Sequence, residues 1–450
     1  MTVTLRFEDG AVVVSSDGDD LNPTSLPGVE RDARTGSHRA PARRYRAVRD
    51  ALRDRGADVD DRVAPDARLE LSLRYDLREY QEAALAAWRG NDERGVVELP
   101  TGSGKTVLAL AAMAELGVPT LVVVPTVDLL EQWRRELESE FGVPVGQFGG
   151  GEQRAAALTV ATYDSAYLRA EDVGGDFGLI VFDEVHHLGG EGYRDVARLF
   201  AAPARLGLTA TFERPDGAHE TVADLVGPVV FERDVDALSG EHLAEYDVRR
   251  IEVRLSESER EEYEREQGTF VEYVRDAGIT FSSGSDYQEL VYRSGNDPRA
   301  REALLAKQRA REVMMNADAK VTELERILER HRDERVIVFT AHTDLVYRLS
   351  ERFLLPAITG ETGAAERREI LGKFRDGEYT RVVSANVLDE GVDVPDASVG
   401  VVISGTGSER QFTQRLGRLL RPGSDGEKRA VLYELVTSET AEERVADRRR

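Results

Sequence analysis

No cysteine occurs in the 450 residues, so neither a disulfide nor a thiolate-held metal contributes to fold or chemistry. Lysine is nearly missing as well: Lys105, Lys307, Lys320, Lys373 and Lys428 are the five among 60 basic residues. Histidine is scarce, and His38, His187, His219, His242, His331 and His342 show no metal-ligand spacing. No apolar run approaches the roughly 20 residues that a membrane span needs. The first residues, Met1-Thr2-Val3-Thr4-Leu5-Arg6-Phe7-Glu8, alternate like a strand and carry no hydrophobic signal core. A cytoplasmic protein with no membrane attachment is expected. Positive charge is short overall, with 84 acidic residues, a net charge of −24 and a pI near 4.9. A disordered acidic chain is excluded by 41% hydrophobic residues in strand-like runs. The length predicts two or three domains.

What is present begins with Pro100-Thr101-Gly102-Ser103-Gly104-Lys105-Thr106, between the apolar run Gly95–Leu99 and the helical pattern Val107–Met113. A glycine turn from strand to helix gathers backbone N–H groups and the positive end of a helix into one concavity, which suits a polyphosphate. Lys105 then reaches the β- and γ-phosphates, and the Thr106 hydroxyl ligates Mg²⁺. Leu99 stands where the strict P-loop pattern has its first glycine. Further on, Leu179-Ile180-Val181-Phe182 reads as a buried strand ending in Asp183-Glu184-Val185-His186. A carboxylate pair at that edge suits a Mg²⁺–nucleotide site, with Asp183 holding the metal and Glu184 activating water. Far downstream, Arg418 and Arg421 share one helix face within Gln411–Arg421. Two such arginines can act as fingers on a γ-phosphate.

Taken in order, these segments resemble a superfamily 2 helicase. Leu77-Arg78-Glu79-Tyr80-Gln81 resembles the adenine-side motif, which implies Arg78 and Gln81 at the nucleotide with Gln81 on the base. Residues 100–106 resemble motif I, Val124-Pro125-Thr126 motif Ia and Ala161–Ser165 motif Ib. Residues 183–186 form a DEAH-type motif II with valine in third place. Thr209-Ala210-Thr211 resembles motif III, Val336–Thr340 motif IV, Asn386–Asp393 motif V and residues 414–421 motif VI. The resemblance implies ATP and Mg²⁺ as cofactors and adds Gly391, Asp393 and Gln414 to the nucleotide side. It implies a grip on nucleic-acid phosphates through backbone amides and the hydroxyls of Thr126, Thr162 and Thr340, and coupling through His186, Thr209 and Thr211.

Within the superfamily the chain is most similar to the XPB-type branch of repair and promoter-opening helicases. A separate N-terminal region precedes the motor, and an Arg- and Glu-rich insert resembles that branch's thumb. Glu213-Arg214-Pro215-Asp216 follows motif III where the branch carries Arg-Glu-Asp, with Pro215 breaking the match. The implied fold is α/β: two RecA-like parallel-sheet motor domains, a small N-terminal α/β domain and a helical thumb-like insert. The boundaries expected are 1–70 (N-terminal, DNA-sensing-like), 71–235 (first motor domain, ATP-binding), 236–312 (linker and insert) and 313–450 (second motor domain).

The implied activity is ATP-dependent 3′→5′ DNA unwinding in excision repair or duplex opening, on single-stranded and forked or damaged DNA. The implied protein is a monomer, with a repair nuclease as partner. Three alternatives remain open: a duplex translocase that does not separate strands, an RNA helicase, and a binding protein with an inactive ATPase.

Two local patterns have double readings. Arg43-Arg44-Tyr45-Arg46 opens a helix and suits either a phosphate backbone or solvent. Tyr263, Phe270, Tyr273 and Tyr287 suit base stacking or packing inside a helical hairpin, whose first helix the capping box Ser256–Glu259 opens.

An acidic, arginine-for-lysine composition resembles proteins of salt-accumulating halophilic archaea. High net charge destabilises the compact state by self-repulsion, and molar salt screens it while weakening phosphate contacts. A motor of this composition relies on backbone N–H groups and arginine forks more than on diffuse charge. The melting temperature therefore rises steeply with KCl into the molar range. A flat or falling curve in a thermal-shift series contradicts the screening argument.

Overall fold

The structure, a computed structural model, describes residues 2–17, 21–63, 67–190, 192–213, 217–234, 246–279, 284–385, 397–404 and 430–443. The chain divides into two compact units near residue 238.

The first unit opens with a small sheet of β1 (Thr2–Glu8), β2 (Ala11–Ser16), β3 (Glu30–Arg31), β4 (His38–Pro41) and β5 (Asp58–Asp61), in the order β3-β4-β2-β1-β5. Its neighbours are antiparallel except β1 and β5, whose parallel pairing needs a crossover that α1 (Tyr45–Asp54) provides. Val3 and Leu5, two apart on β1, pack on Tyr45, Val48 and Leu52 along one face of α1.

The larger sheet has eight strands: β6 (Arg94–Glu98), β7 (Thr120–Val124), β8 (Val145–Gly149), β9 (Glu152–Arg154), β10 (Leu158–Thr162), β11 (Leu179–Asp183), β12 (Ala204–Thr209) and β13 (Val229–Glu232). Their order is β13-β6-β12-β11-β7-β10-β8-β9, parallel except for the β8–β9 edge. α2 (Glu79–Gly90) leads into β6, and between the strands run α3 (Lys105–Leu116), α4 (Val127–Phe141), α5 (Tyr163–Val173), α6 (Arg194–Leu199) and α7 (His219–Leu225). β7, β10, β11 and β12 are buried along their whole length, as a parallel sheet covered on both faces requires.

The N-terminal sheet packs directly on this α/β body. The Phe7 ring lies so close to the chain at Gly174 that a Cβ there would sit 2.5 Å from ring carbon Cζ. Arg43 pairs with Asp224 at 3.1 Å, and Arg46 donates to the Asp92 carbonyl while lying 3.4 Å from its carboxylate. Within the 43–46 cluster Arg44 is exposed, as the solvent reading expects, while its neighbours are drawn into internal contacts. Tyr45 is 1% exposed in the N-terminal core, and the arginines at 43 and 46 reach across to the first motor sheet. Behind this seam the fully buried Arg205 donates to the carbonyls of Ala197, Phe200, Ala202 and Leu225. These carbonyls lie at and beyond the C-terminal ends of α6 and α7, where unpaired acceptors collect and a cation is favoured. Burial nonetheless pushes the Arg205 pKa well below its ordinary value, with Arg94 and Arg43 adding like charge.

The second unit is built on a six-stranded, all-parallel sheet, with strands β14 (Tyr246–Val253), β15 (Val336–Thr340), β16 (Ala357–Ile358), β17 (Arg381–Ala385), β18 (Val399–Val402) and β19 (Ala430–Thr437) in the order β14-β19-β18-β15-β17-β16. The sequence reading left 246–253 in the linker. The structure makes it an edge strand, and its charged residues Asp247, Arg249, Arg250 and Glu252 are of the kind that protect an edge, which also masks the strand pattern.

The insert comprises α8 (Glu257–Asp276), α9 (Gly284–Ser294) and α10 (Pro298–Met315). Ser256 and Glu259 form both hydrogen bonds of the capping box at the start of α8. Tyr263 packs on Ala310, Met314 and Met315; Phe270 and Tyr273 pack on Leu290, Ala300 and Ala303. All three are buried within the helical packing and present no ring for base stacking. The Tyr287 side chain lies outside the described residues.

After the insert, α11 (Asp318–Arg330) leads into the sheet and carries the buried Lys320. Its ammonium donates to both Glu442 oxygens at 2.8 and 2.7 Å and to the Ile403 carbonyl at 2.8 Å. Helices α12 (Thr343–Phe353) and α13 (Ala364–Arg375) follow. No helix among the described residues is long and apolar enough to cross a membrane.

Candidate nucleotide site

Parallel register aligns the carboxyl ends of three adjacent strands. On β12, Thr209 stands opposite Glu98 of β6, and Leu208 stands opposite Asp183 of β11. The loops that follow leave the sheet side by side at the edge where open α/β sheets bind ligands.

The glycine turn after β6 is held from within and from α2. Gly104 caps α3 at φ +82°, and a Cβ there would meet the Gln81 amide nitrogen at 2.5 Å, so glycine is required on two counts. The Ser103 hydroxyl donates to the Pro100 carbonyl at 2.7 Å. Lys105 Nζ lies against the same loop, donating to the Leu99 and Pro100 carbonyls at 3.0 and 3.2 Å. Thr106 is half-buried in the first turn of α3.

Gln81 is 3% exposed and grips the loop: its Nε2 donates to the Ser103 and Gly104 carbonyls at 3.1 and 3.2 Å, and its Oε1 accepts from the Arg78 N–H at 3.0 Å. The Tyr80 hydroxyl adds a bond to the Ser103 carbonyl. In this structure the adenine-side motif acts on the phosphate loop itself. Arg78, at the start of α2, contacts the Tyr80 hydroxyl at 3.2 Å.

Asp183 is 8% exposed, and burial raises its pKa while the Trp133 indole and the Lys105 charge oppose the rise. Its Oδ2 accepts from Trp133 Nε1 at 2.8 Å and its Oδ1 from the Glu184 N–H at 3.1 Å. Glu184 sits in the left-handed region at φ +49°, where a non-glycine residue is strained; such residues cluster at functional sites. Its Oε2 lies 3.4 Å from His186 Nδ1, which in turn lies 3.1 Å from Thr209 Oγ1. Because Thr209 donates its hydroxyl proton to the Thr211 carbonyl at 2.9 Å, the His186–Thr209 bond takes its proton from Nδ1. Motif II and motif III are thus joined through His186, Thr209 and Thr211.

The remaining expected residues divide into three groups. Thr126 caps α4 by accepting from the Leu129 N–H, and Thr162 caps α5 by accepting from the Ser165 N–H, each at 3.3 Å. Thr340 departs from the expected phosphate contact: it is fully buried, with its hydroxyl 2.7 Å from Ser404 Oγ, because it ends a central strand of the second sheet. Arg418, Arg421, Gly391, Asp393 and Gln414 lie outside the described residues, as do Arg214, Pro215 and Asp216.

Sequence reasoning missed Trp133 and Glu98. Trp133 is one of two tryptophans, seven residues beyond Thr126, and Glu98 is the carboxylate that ends β6 after Val96 and Val97. Burial raises the Glu98 pKa to about 6; Glu232 and Glu213 add to the rise, and the Phe212 N–H and Lys105 oppose it.

Strand order, phosphate loop and acidic box together define a P-loop ATPase with RecA-like sheets, the helicase class of motor. Residues 5–63 match the Xeroderma pigmentosum group B helicase damage recognition domain, residues 74–214 the type III restriction enzyme res subunit, and residues 301–450 the ERCC3/RAD25/XPB C-terminal helicase. The chain is 42% identical to the DNA 3′-5′ translocase XPB2 of Sulfurisphaera tokodaii over 100% of both chains. It is 31% identical to the DNA 3′-5′ helicase XPB of Mycobacterium tuberculosis over 83% of this chain and 63% of that one. The Pyrococcus furiosus Hef helicase domain shares the fold, with a TM-score of 0.53, 20% identity and coverage of 83% of this chain and 98% of that one. The chain belongs to the XPB family of helicases and translocases.

The raised Glu98 pKa has a defined consequence for stability. The folded chain holds this proton more tightly than the unfolded chain, so ionisation destabilises the fold as pH rises from the ordinary carboxylate range through about 6. Glu98→Gln removes the effect while keeping an acceptor for the Phe212 N–H. The variant gains at most about 2 kcal/mol over wild type at pH 8 and nothing near pH 4. A difference in melting temperature that does not change with pH contradicts this.

Proposed function

We propose that the chain is an ATP-driven DNA motor that tracks 3′→5′ and opens duplex DNA during repair. The observation that carries this is the hydrogen-bonded path His186–Thr209–Thr211, with Glu184 Oε2 3.4 Å from His186 Nδ1, which sets the water-activating carboxylate beside the motif III segment. Such a path makes hydrolysis answerable to a second site, as a motor requires. Lys105 and the loop amides hold the phosphates, and Glu184 orients and deprotonates the attacking water. The Asp183 carboxylate and the Thr106 hydroxyl are hard oxygen donors of the kind that suit Mg²⁺, which takes few protein ligands beside substrate phosphates and waters. Mg²⁺ when bound neutralises charge on the β- and γ-phosphates. Arg418 and Arg421 serve as arginine fingers, with Gln414, Gly391 and Asp393 on the nucleotide side. Backbone amides at the capped starts of α4 and α5 grip DNA phosphates, with Thr126 and Thr162 at those positions.

Residues 1–70 serve as the DNA-sensing module, supported by the match to the damage recognition domain. Residues 71–235 and 313–450 are the motor halves, joined by the 236–312 linker and insert. The protein acts as a cytoplasmic monomer on single-stranded and forked or damaged DNA, beside a repair nuclease. A second reading, translocation along duplex without strand separation, is favoured by the name of the 42%-identical relative, a DNA 3′-5′ translocase.

Strand displacement on 3′- and 5′-tailed duplexes, run beside triplex displacement, tests both. The proposed helicase displaces strands from 3′ tails only, and triplex displacement without strand separation selects the translocase. Glu184→Gln retains nucleotide and DNA binding but hydrolyses ATP at least about 10²-fold more slowly. Displacement from 5′ tails, or near-normal turnover by Glu184→Gln, contradicts the proposal.

A further inference from the structure

The two helices that begin at the proposed DNA-gripping caps each send a polar aromatic group to the same residue, Asp183. From α4 the Trp133 side chain, 2% exposed, donates its indole N–H to Asp183 Oδ2 at 2.8 Å. From α5 the Tyr163 side chain, 1% exposed, donates its hydroxyl to the Asp183 backbone carbonyl at 3.2 Å. The Tyr163 ring is fixed in turn by Phe182, Tyr193 and His187, with centroids 6.5, 5.2 and 6.2 Å away. We propose that Trp133 and Tyr163 are positioning residues that transmit DNA occupancy at the α4 and α5 caps to the Asp183 carboxylate. The proposal rests on the reading of Thr126 and Thr162 as part of the DNA grip.

Trp133 lies seven residues beyond Thr126, about 10 Å along one uninterrupted helix, and Tyr163 directly follows Thr162. A phosphate drawn to a helix N-terminus acts on the helix as a body, so a shift at the cap arrives at the indole undiminished. Hydrogen bonds weaken steeply with distance and angle. A few tenths of an ångström at Trp133 Nε1 therefore reorients the Asp183 oxygen that it holds. Both donors are neutral: Trp133 sets the direction of the carboxylate itself, and Tyr163 holds the main chain that carries it. Trp133→Phe removes the N–H together with part of the buried ring system, so its effect on coupling is read separately from its effect on stability.

Coupling between two sites is reciprocal: DNA and nucleotide must alter each other's affinity by one factor. That factor is a ratio within one variant, so a merely structural loss, which weakens binding uniformly and lowers the melting temperature, leaves it unchanged. The experiment measures the Kd of the Mg²⁺ complex of a non-hydrolysable ATP analogue with and without saturating single-stranded DNA, and the Kd of DNA with and without nucleotide. It compares wild type, Trp133→Phe, Tyr163→Phe and a Thr126→Ala, Thr162→Ala double variant.

Wild type is expected to show a factor of at least five, falling at least threefold toward unity in Trp133→Phe and by less in Tyr163→Phe. If Trp133→Phe does not fold, Tyr163→Phe, which removes a single oxygen, carries the test. The cap variant is expected to lose DNA affinity itself; unchanged DNA affinity there overturns the DNA-grip reading and the proposal with it. A wild-type factor in both aromatic variants, alongside weakened DNA binding in the cap variant, overturns this proposal alone. A wild-type factor of one overturns it as well.

Discussion

Parallel hydrogen-bond register is the constraint on which the first unit depends. Strands β6, β12 and β11 are adjacent and run the same way, so Glu98 stands opposite Thr209 and Asp183 opposite Leu208. Three segments far apart in sequence then turn outward at one edge: the phosphate loop, motif III and the acidic box. A shift of one residue in any of these strands would reverse which side chains face each layer and separate the groups. The full burial of β11 and β12 makes such a shift costly, because every residue in them contacts a covered face. The core therefore positions the chemistry as well as stabilising the fold.

The electrostatics follow from an acidic chain that must handle polyanions. Where carboxylates enter the interior they are met by selected donors: Asp183 by an indole and a backbone N–H, Glu442 by Lys320. Where arginines are buried they serve the backbone, as Arg205 does with four carbonyls at helix ends. The N-terminal arginines behave similarly. Arg43 and Arg46 tie the small sheet to the motor body through Asp224 and the Asp92 main chain. Positive charge that the composition would offer to DNA is in these places committed to holding the protein together. Helix starts and loop amides can meet phosphates as well, and their contribution depends less on net charge.

The sequence was most legible where a function needs contiguous residues. The strand, turn and helix across 94–116 could be read from apolar runs bracketing a glycine turn, and the β11 strand from four apolar residues before Asp183. The helix-opening capping box at Ser256 was equally readable, since both partners lie within one turn. Contacts made by the fold were not legible. Trp133 meets Asp183 across 50 positions, and Gln81 meets the loop across 22. No local pattern states those distances. The strand Tyr246–Val253 escaped notice because an edge strand carries charges that break alternation. The burial of Thr340 escaped because a strand's last hydroxyl looks the same in sequence whether it faces solvent or Ser404.

The account stands or falls on whether the loop around Lys105 is the site whose hydrolysis DNA controls. The direct measurement is steady-state ATP turnover of wild type and Lys105→Ala, each with and without saturating single-stranded DNA, with DNA affinity measured on the same preparations. The account predicts DNA-stimulated turnover in wild type, and its loss in Lys105→Ala with DNA affinity retained, since the substitution deletes a phosphate contact and leaves the α4 and α5 caps intact. Substantial DNA-stimulated turnover in Lys105→Ala would contradict it.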